Sequence, residues 1–271
     1  TVKKYPSRNF EFISFNTTKD IFTDVHARNA VEAAINRDAV IKDVYKGDAE
    51  KSTIPILGDS WILGDIEADS YKEKPATILA EGGWKQSNKG FYKRIKGRTR
   101  YLNPEIIVNS SNKQRVSACK RIAEQLNSVG IKATVVELEW DELISRVNSG
   151  KFDMACLGVR VPQIPDISFM YSISYLQELS SSDFVMAKNI SGYNNPDINN
   201  LIDELYRENN KEKRKNILDS AIKIIHSENP YVGLYFTNSA IIYRKTVKGD
   251  ISPTAWNMYN SLSKWYIEKS D

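Results

Sequence analysis

Residues 103–158, NPEIIVNSSNKQRVSACKRIAEQLNSVGIKATVVELEWDELISRVNSGKFDMACLG, decide the fold. Asn103 to Asn109 is a short apolar run of strand length. Ser110 or Ser111 can cap a helix that reaches Val129, and Gly130 closes it. Ile131 to Leu138 forms the next strand, Trp140 to Asn148 a second helix stopped by Gly150, and Phe152 to Gly158 a third strand. Strand, helix, strand, helix, strand with short turns is a βαβαβ unit. It implies neighbouring parallel strands, right-handed crossovers, and helices over both sheet faces.

Upstream, in residues 10–46, Phe10, Phe12, Ser14 and Asn16 alternate with Glu11, Ile13 and Phe15, the period of a strand. Asp24 can cap a helix whose apolar side carries Val25, Ala30, Val31, Ala34 and Ile35. Asp38 restarts a helical turn with Val40, Ile41, Val44 and Tyr45 facing inward, and Gly47 ends it. Residues 48–70 form a turn-rich excursion with Pro55, Gly58 and Gly64, carrying the apolar patch Trp61-Ile62-Leu63. Tyr71 to Glu81 reads as a helix ending at Gly82-Gly83, and residues 89–101 as a basic hairpin turning near Gly97. Downstream, Pro162 and Pro165 interrupt regular structure. Pro196 opens a helix through Tyr206, a second helix runs from Lys211 to His226, and Tyr231 to Tyr243 is strand-like again. The expected class is α/β: one sheet flanked by helices, with extended segments near both ends.

With 271 residues, 41% hydrophobic and 27% charged, the composition is that of an ordinary globular chain with a real core. A net charge of +4 from 38 basic and 34 acidic residues, interspersed, does not argue for nucleic acid. No apolar run approaches the roughly 18–20 residues that span a bilayer, and Thr1-Val2-Lys3-Lys4-Tyr5 is not a signal peptide. Any targeting segment is expected upstream. Cys119 and Cys156 read as small buried hydrophobes; a disulfide between that helix and that strand is the other reading.

Nucleotide, zinc-protease and serine-hydrolase motifs are absent from the sequence. His26 and His226 have no ligand-spaced partner, so no metal or cofactor is expected. The acids Glu137, Glu139, Asp141 and Glu142 read as a solvated strand end and a helix first turn. Lys93, Arg94, Lys96, Arg98 and Arg100 read as a charged edge that discourages strand pairing. Fourteen Tyr and five Trp are the better clue, because aromatic walls with a few hydrogen-bonding groups suit a cleft for flexible ligands.

The phrase FNTTKDIFTDVHARNAVEAAINRDAVI (15–41) closely resembles the middle segment of the family 5 extracellular solute-binding proteins. The resemblance continues in ILAEGGW (78–84), RIAEQLNSVGIKATVVELEWDELISRVNSGKFDMACLGV (121–159), NISGYNNPDINNLIDEL (189–205) and NPYVGLYF (229–236). It implies a periplasmic-binding-protein-like lobe: a first hinge crossover at residues 1–18, the ligand-binding lobe at 19–230, and a second crossover with a C-terminal return at 231–271. The family's N-terminal lobe is missing from the match. The implied function is the substrate-binding component of an ABC importer: an extracytoplasmic monomer, as a surface lipoprotein or in the periplasm. Its expected partners are an oligopeptide or other small solute and a membrane permease, without nucleic acid and without catalysis.

Carried over residue by residue, Gly158, Val159, Arg160, Val161 and Pro162 match the family's Gly-Trp-x-x-Asp, whose Asp pairs with the ligand's amino terminus. Val159 replaces the Trp and Pro162 the Asp. A buried ammonium would lose a charge-assisted bond worth roughly 1.5–3 kcal/mol. Asp166 is a substitute if the loop is rearranged, and Arg160 favours an anionic group instead. Other matched contacts are Trp140, Asn189, Tyr193, Phe12 and Ser14, with Trp61 overhanging the opening. Two other readings stand beside this one: a ligand-sensing domain of a cytoplasmic transcriptional regulator, and an enzyme with dispersed catalytic residues.

Overall fold

The computed structural model describes residues 1–63, 73–175 and 189–268. Gly64 and Tyr71, which the excursion and the following helix were expected to include, lie outside them. Along the chain come β1 (Val2–Phe15), α1 (Val25–Ala34), α2 (Arg37–Tyr45), β2 (Ala49–Lys51), α3 (Pro75–Glu81), β3 (Lys85–Ser87), β4 (Gly90–Ile95) and β5 (Arg98–Tyr101). The expected βαβαβ unit follows as β6 (Glu105–Asn109), α4 (Lys113–Ser128), β7 (Thr134–Leu138), α5 (Trp140–Asn148) and β8 (Met154–Arg160). Then come α6 (Ser168–Tyr171), α7 (Pro196–Arg207), α8 (Lys211–Glu228), β9 (Tyr231–Ile242), β10 (Val247–Gly249) and β11 (Trp265–Ile267).

The main sheet has six strands in the order β2-β9-β1-β8-β6-β7. β6 pairs in parallel with both β7 and β8, as the alternation of strands and helices requires. β1 is antiparallel to β8, from Asn9 opposite Arg160 to Phe15 opposite Met154, and antiparallel to β9 on its other side. Past the end of β8, β1 and β9 run on as a two-stranded ribbon, Val2 opposite Ile242 and Pro6 opposite Asn238. The register shifts between Pro6 and Phe10, a place where a residue without an N–H is tolerated. β2 was not anticipated: three residues carry no readable period.

Both faces of the sheet are buried. Phe10, Phe12, Leu157 and Val159 pack with Leu143, Ile144 and Val147 of α5, with Ile198 and Ile202 of α7, and with Leu218, Ile222 and Ile225 of α8. Ile13, Phe15, Met154 and Cys156 pack on the other face with α1, α2 and α4. On α4 the inward residues Val116, Cys119, Ile122, Ala123 and Leu126 recur at helical spacing, one stripe against one sheet face. Each large side chain so covered contributes about 1.5–3 kcal/mol. Cys119 and Cys156 are both buried free thiols, and burial pushes Cys119 up, followed by its hydrogen bond with Cys156.

The caps differ in part from expectation. Asp24 caps α1, accepting from the His26 amide. Asn36 caps α2 through the Ala39 amide, ahead of Asp38. Asn112, not Ser110 or Ser111, caps α4 through the Arg115 amide. The serines are engaged elsewhere: Ser110 donates to Glu139 and Ser111 to Asn109. The basic hairpin belongs to a three-stranded sheet, β3-β4-β5, which turns at Lys96 and Gly97, both at positive φ (47° and 78°). Its charges meet the lobe, Lys93 with Asp24 and Arg100 with Asp20.

Candidate functional site

The C-terminal ends of β6, β7 and β8 share one edge of the sheet, and β1 and β9 leave past that edge as the ribbon. Because β7 lies on one side of β6 and β8 on the other, with α4 and α5 on opposite faces, the chain reverses direction there. Such a switch point opens a crevice where open α/β sheets bind ligands. β6 stops pairing with β8 at Val108 opposite Cys156, whereas β1 follows β8 to Arg160. Leu157 to Arg160 is therefore an extended segment paired on one side only.

A buried ion pair braces this edge. Arg115, in the first turn of α4, donates from Nε and Nη2 to the two carboxylate oxygens of Glu11 at 2.7 and 2.9 Å. Burial works against the charge on Arg115, but Glu11 outweighs it and holds the guanidinium above its ordinary value. Glu11 lies opposite Gly158. A Cβ on Gly158 would stand 2.5 Å from Arg115 Nη2 and 2.6 Å from Glu11 Oε1. The glycine thus belongs to the brace as much as to the strand.

On the other face, a pocket of about 400 Å³ opens between the 55–61 excursion and the loop after β8. Trp61, Ile56, Val161, Pro162, Pro165 and Trp256 line it, with Asp59, Ser60 and Gln163. Arg8 ties two of the walls together. Its Nε donates to the Val161 carbonyl at 2.9 Å, and its guanidinium lies 4.9 Å from the Trp256 ring centroid. Lys211 and Arg214 lie over the Trp61 ring at 5.6 and 5.9 Å.

Residues 1–181 match the family model of the bacterial extracellular solute-binding proteins, family 5 middle segment. The chain belongs to this family. Relatives include the oligopeptide-binding protein AppA of Bacillus subtilis, 25% identical over 96% of this chain and 47% of that protein. Heme-binding protein A of Haemophilus influenzae is 25% identical over 94% of this chain and 44% of its own length. Among solved structures, Bacillus subtilis AppA in complex with a nonapeptide superposes with a TM-score of 0.79 at 21% identity, over 99% of this chain and 52% of that one. NikZ from Campylobacter jejuni in complex with Ni(L-His) gives 0.74 at 20% identity, over 98% of this chain and 53% of the other. These superpositions carry the fold. The chain spans about half the length of the relatives it matches.

Within this family 5 lobe, the residues singled out from sequence separate into three places. Val159, Arg160, Val161 and Trp61 lie at the switch-point edge and its pocket, and Trp140 opens α5 just past the end of β7. Val159 and Val161 are buried; Val159 belongs to the one-sided edge, whereas the N–H and C=O of Val161 are both bonded to Arg8. Arg160 is exposed, and its side chain makes no hydrogen bond or ion pair with a described residue. Asp166 is nearby in sequence but engaged: it accepts from the Ser168 amide at 2.8 Å and from the Tyr206 hydroxyl at 2.9 Å. That carboxylate organises the loop and the start of α6.

Phe12 and Ser14 are buried under the helices, Phe12 against the rings of Phe10 and Tyr231. Asn189 and Tyr193 are at the opposite end of β8, buried beside the Asn16 corner. Asn189 Nδ2 donates to the carbonyls of Ser172 and Tyr193, and its Oδ1 accepts from Ser191 Oγ and Tyr231 OH. Its hydrogen-bonding capacity is used within the chain. Arg8 and Trp256 were not singled out from sequence. No local pattern signals them, since the ribbon and the C-terminal segment meet only in the folded chain.

Proposed function

We propose that this chain supplies one lobe of an extracytoplasmic solute receptor that takes oligopeptides or a related solute and presents them to the membrane permease of an ABC importer. One observation carries the reading: Leu157 to Arg160 is extended and paired on one side only, at the switch-point edge of a family 5 lobe. An extended peptide can complete such an edge through main-chain hydrogen bonds, which gives affinity tolerant of sequence. Relatives named as oligopeptide- and dipeptide-binding proteins support this ligand class. All of the relatives cited are binding proteins, and nothing among them favours the regulatory or the enzymatic alternative.

The ribbon of β1 and β9 is the hinge in this reading, with residues 1–18 and 231–271 as the two crossover segments and 19–230 as the lobe. Bending of two adjacent strands lets a second lobe close over the edge, and ligand binding selects the closed state. Trp140, Arg160, Trp61, the backbone of Val159 and the pocket wall formed by Val161 face the ligand. The receptor works as a monomer, held at the surface as a lipoprotein or free in the periplasm. Mass spectrometry of material co-purified with the two-lobed protein tests the assignment: a mixture of short peptides is expected, and a single non-peptide species would overturn the peptide reading.

A further inference from the structure

We propose that the pocket between Trp61 and Trp256, together with Arg8, is a subsite for a ligand end that carries a carboxylate beside an apolar side chain. The inference rests on the peptide-binding reading above and adds which end of the ligand is held, and by what.

Arg8 is placed as a carboxylate fork is placed. Its Nε is spent on the Val161 carbonyl and its Cζ lies over the Trp256 ring, so the guanidinium is held at two points, both on residues that line the pocket. Neither Nη has a partner among the described residues, and Arg8 forms no ion pair there. A guanidinium held at two points loses little further rotamer freedom when it binds, and its two outer N–H groups match a carboxylate. Like charge is close at hand, because Arg160 lies across from Asn9, the next residue along β1. Partial burial, and then Arg160, push Arg8 below its ordinary value. An anion arriving at Arg8 relieves both effects.

The pocket supplies the other half. Ile56, Leu57, Val161, Pro162 and Pro165 give it apolar walls between the two indoles, the surface a Leu or Phe side chain would bury. Lys211 and Arg214 sit on Trp61, which adds positive charge at the far wall. Asp59 is the carboxylate among the lining residues, and it is exposed. At the Arg8 wall the field therefore favours an anion over an ammonium, while Asp59, with Glu50 close enough to feel its charge, keeps the excursion wall acidic.

The test is calorimetry on the polypeptide carrying both lobes, with three probes: a pentapeptide ending in Phe as the free acid, the same peptide as its C-terminal amide, and octanoate. The free acid is expected to bind at least tenfold tighter than the amide. Arg8→Gln should abolish that preference, Arg8→Lys should keep part of it, and Arg160→Gln, which weakens acid and amide alike, should leave the preference standing. Peptide binding indifferent to amidation overturns the subsite and leaves the receptor reading intact. Octanoate binding that Arg8→Gln removes, without peptide binding, supports the subsite and overturns the peptide reading. If no probe binds, both fall. Should Arg8→Gln fail to fold, the acid and amide pair on the wild-type protein decides the matter.

Discussion

The two ends of β8 make a useful comparison. At one end, near Met154, the chain ties a polar knot: Asn16 donates to the carbonyls of Gly150 and Phe152, and Asn189 links Ser172, Ser191, Tyr193 and Tyr231. At the other end, near Arg160, a one-sided strand edge, an uncommitted guanidinium and a Trp-walled pocket are left open. The seven residues of β8 put roughly 20 Å between the ends. Asparagine-rich and aromatic segments look alike in sequence at both. What separates the two ends is whether the side chains named at each already have partners.

That contrast can be broken most forcefully at the brace beneath the open edge. Glu11→Ala leaves Arg115 buried without its carboxylate and is expected to cost about 3–5 kcal/mol in urea unfolding. Gly158→Ala, which drives a methyl into the same pair, should approach that loss. If either variant is as stable as the parent, the brace is not what holds the edge in place.

At the closed end, Asn189→Ala takes the acceptor from the Tyr231 and Ser191 hydroxyls and the donor from two carbonyls in the interior, and should cost about 2–4 kcal/mol. The same substitution should not alter ligand affinity in the two-lobed protein once folding is restored by temperature. A direct tenfold loss of affinity in the folded variant would move Asn189 back into the binding surface. Conversely, Arg160→Ala should change stability by less than about 0.5 kcal/mol, as surface substitutions do, yet weaken ligand binding by tenfold or more. Unchanged affinity removes Arg160 from the site. A companion expectation concerns the open cleft: this chain alone should bind weakly, and calorimetry finding micromolar peptide affinity would show that the second lobe is dispensable.

A last effect, the one that depends on pH, lies away from both ends, at Asp24. Burial opposes its ionisation, but hydrogen bonds from Lys93, the His26 amide and Trp84, with the charge of Lys93, outweigh it and hold the carboxyl below its usual range. A folded value below the unfolded one, near 3.9, means its stabilisation is present at neutral pH. It is lost as pH falls through the folded value. Asp24→Ala should cost about 1–2 kcal/mol at pH 7, and the gap between variant and parent should narrow in acid. A gap that stays constant between pH 7 and pH 2 would make the contribution purely steric.

Much of the scaffold was legible because burial imposes a period. The α5 boundaries, Trp140 to Asn148, follow from an apolar stripe bounded by a strand end and Gly150. Both buried faces of β1 were visible in the alternation of Phe10 and Phe12 with Ile13 and Phe15. Caps were less legible, since Ser110, Ser111 and Asn112 offer similar oxygens and only their tertiary partners choose among them. The site was half legible. Matching motifs led to Arg160 and Val161, but also to Asn189, whose side-chain groups are consumed by residues on three other segments. Arg8 was invisible because its meaning depends on Trp256, at the far end of the chain.

By itself the amino-acid sequence determined the class of fold, the order of the parallel unit and the family, because hydrophobic periodicity and turn residues are local properties. Only the tertiary structure decided which strands became neighbours, which polar groups were already satisfied, and where positive charge was left facing an open pocket. Hydrogen-bond partners and electrostatic neighbours come from segments distant along the chain, so folding alone determines which groups remain available to a ligand.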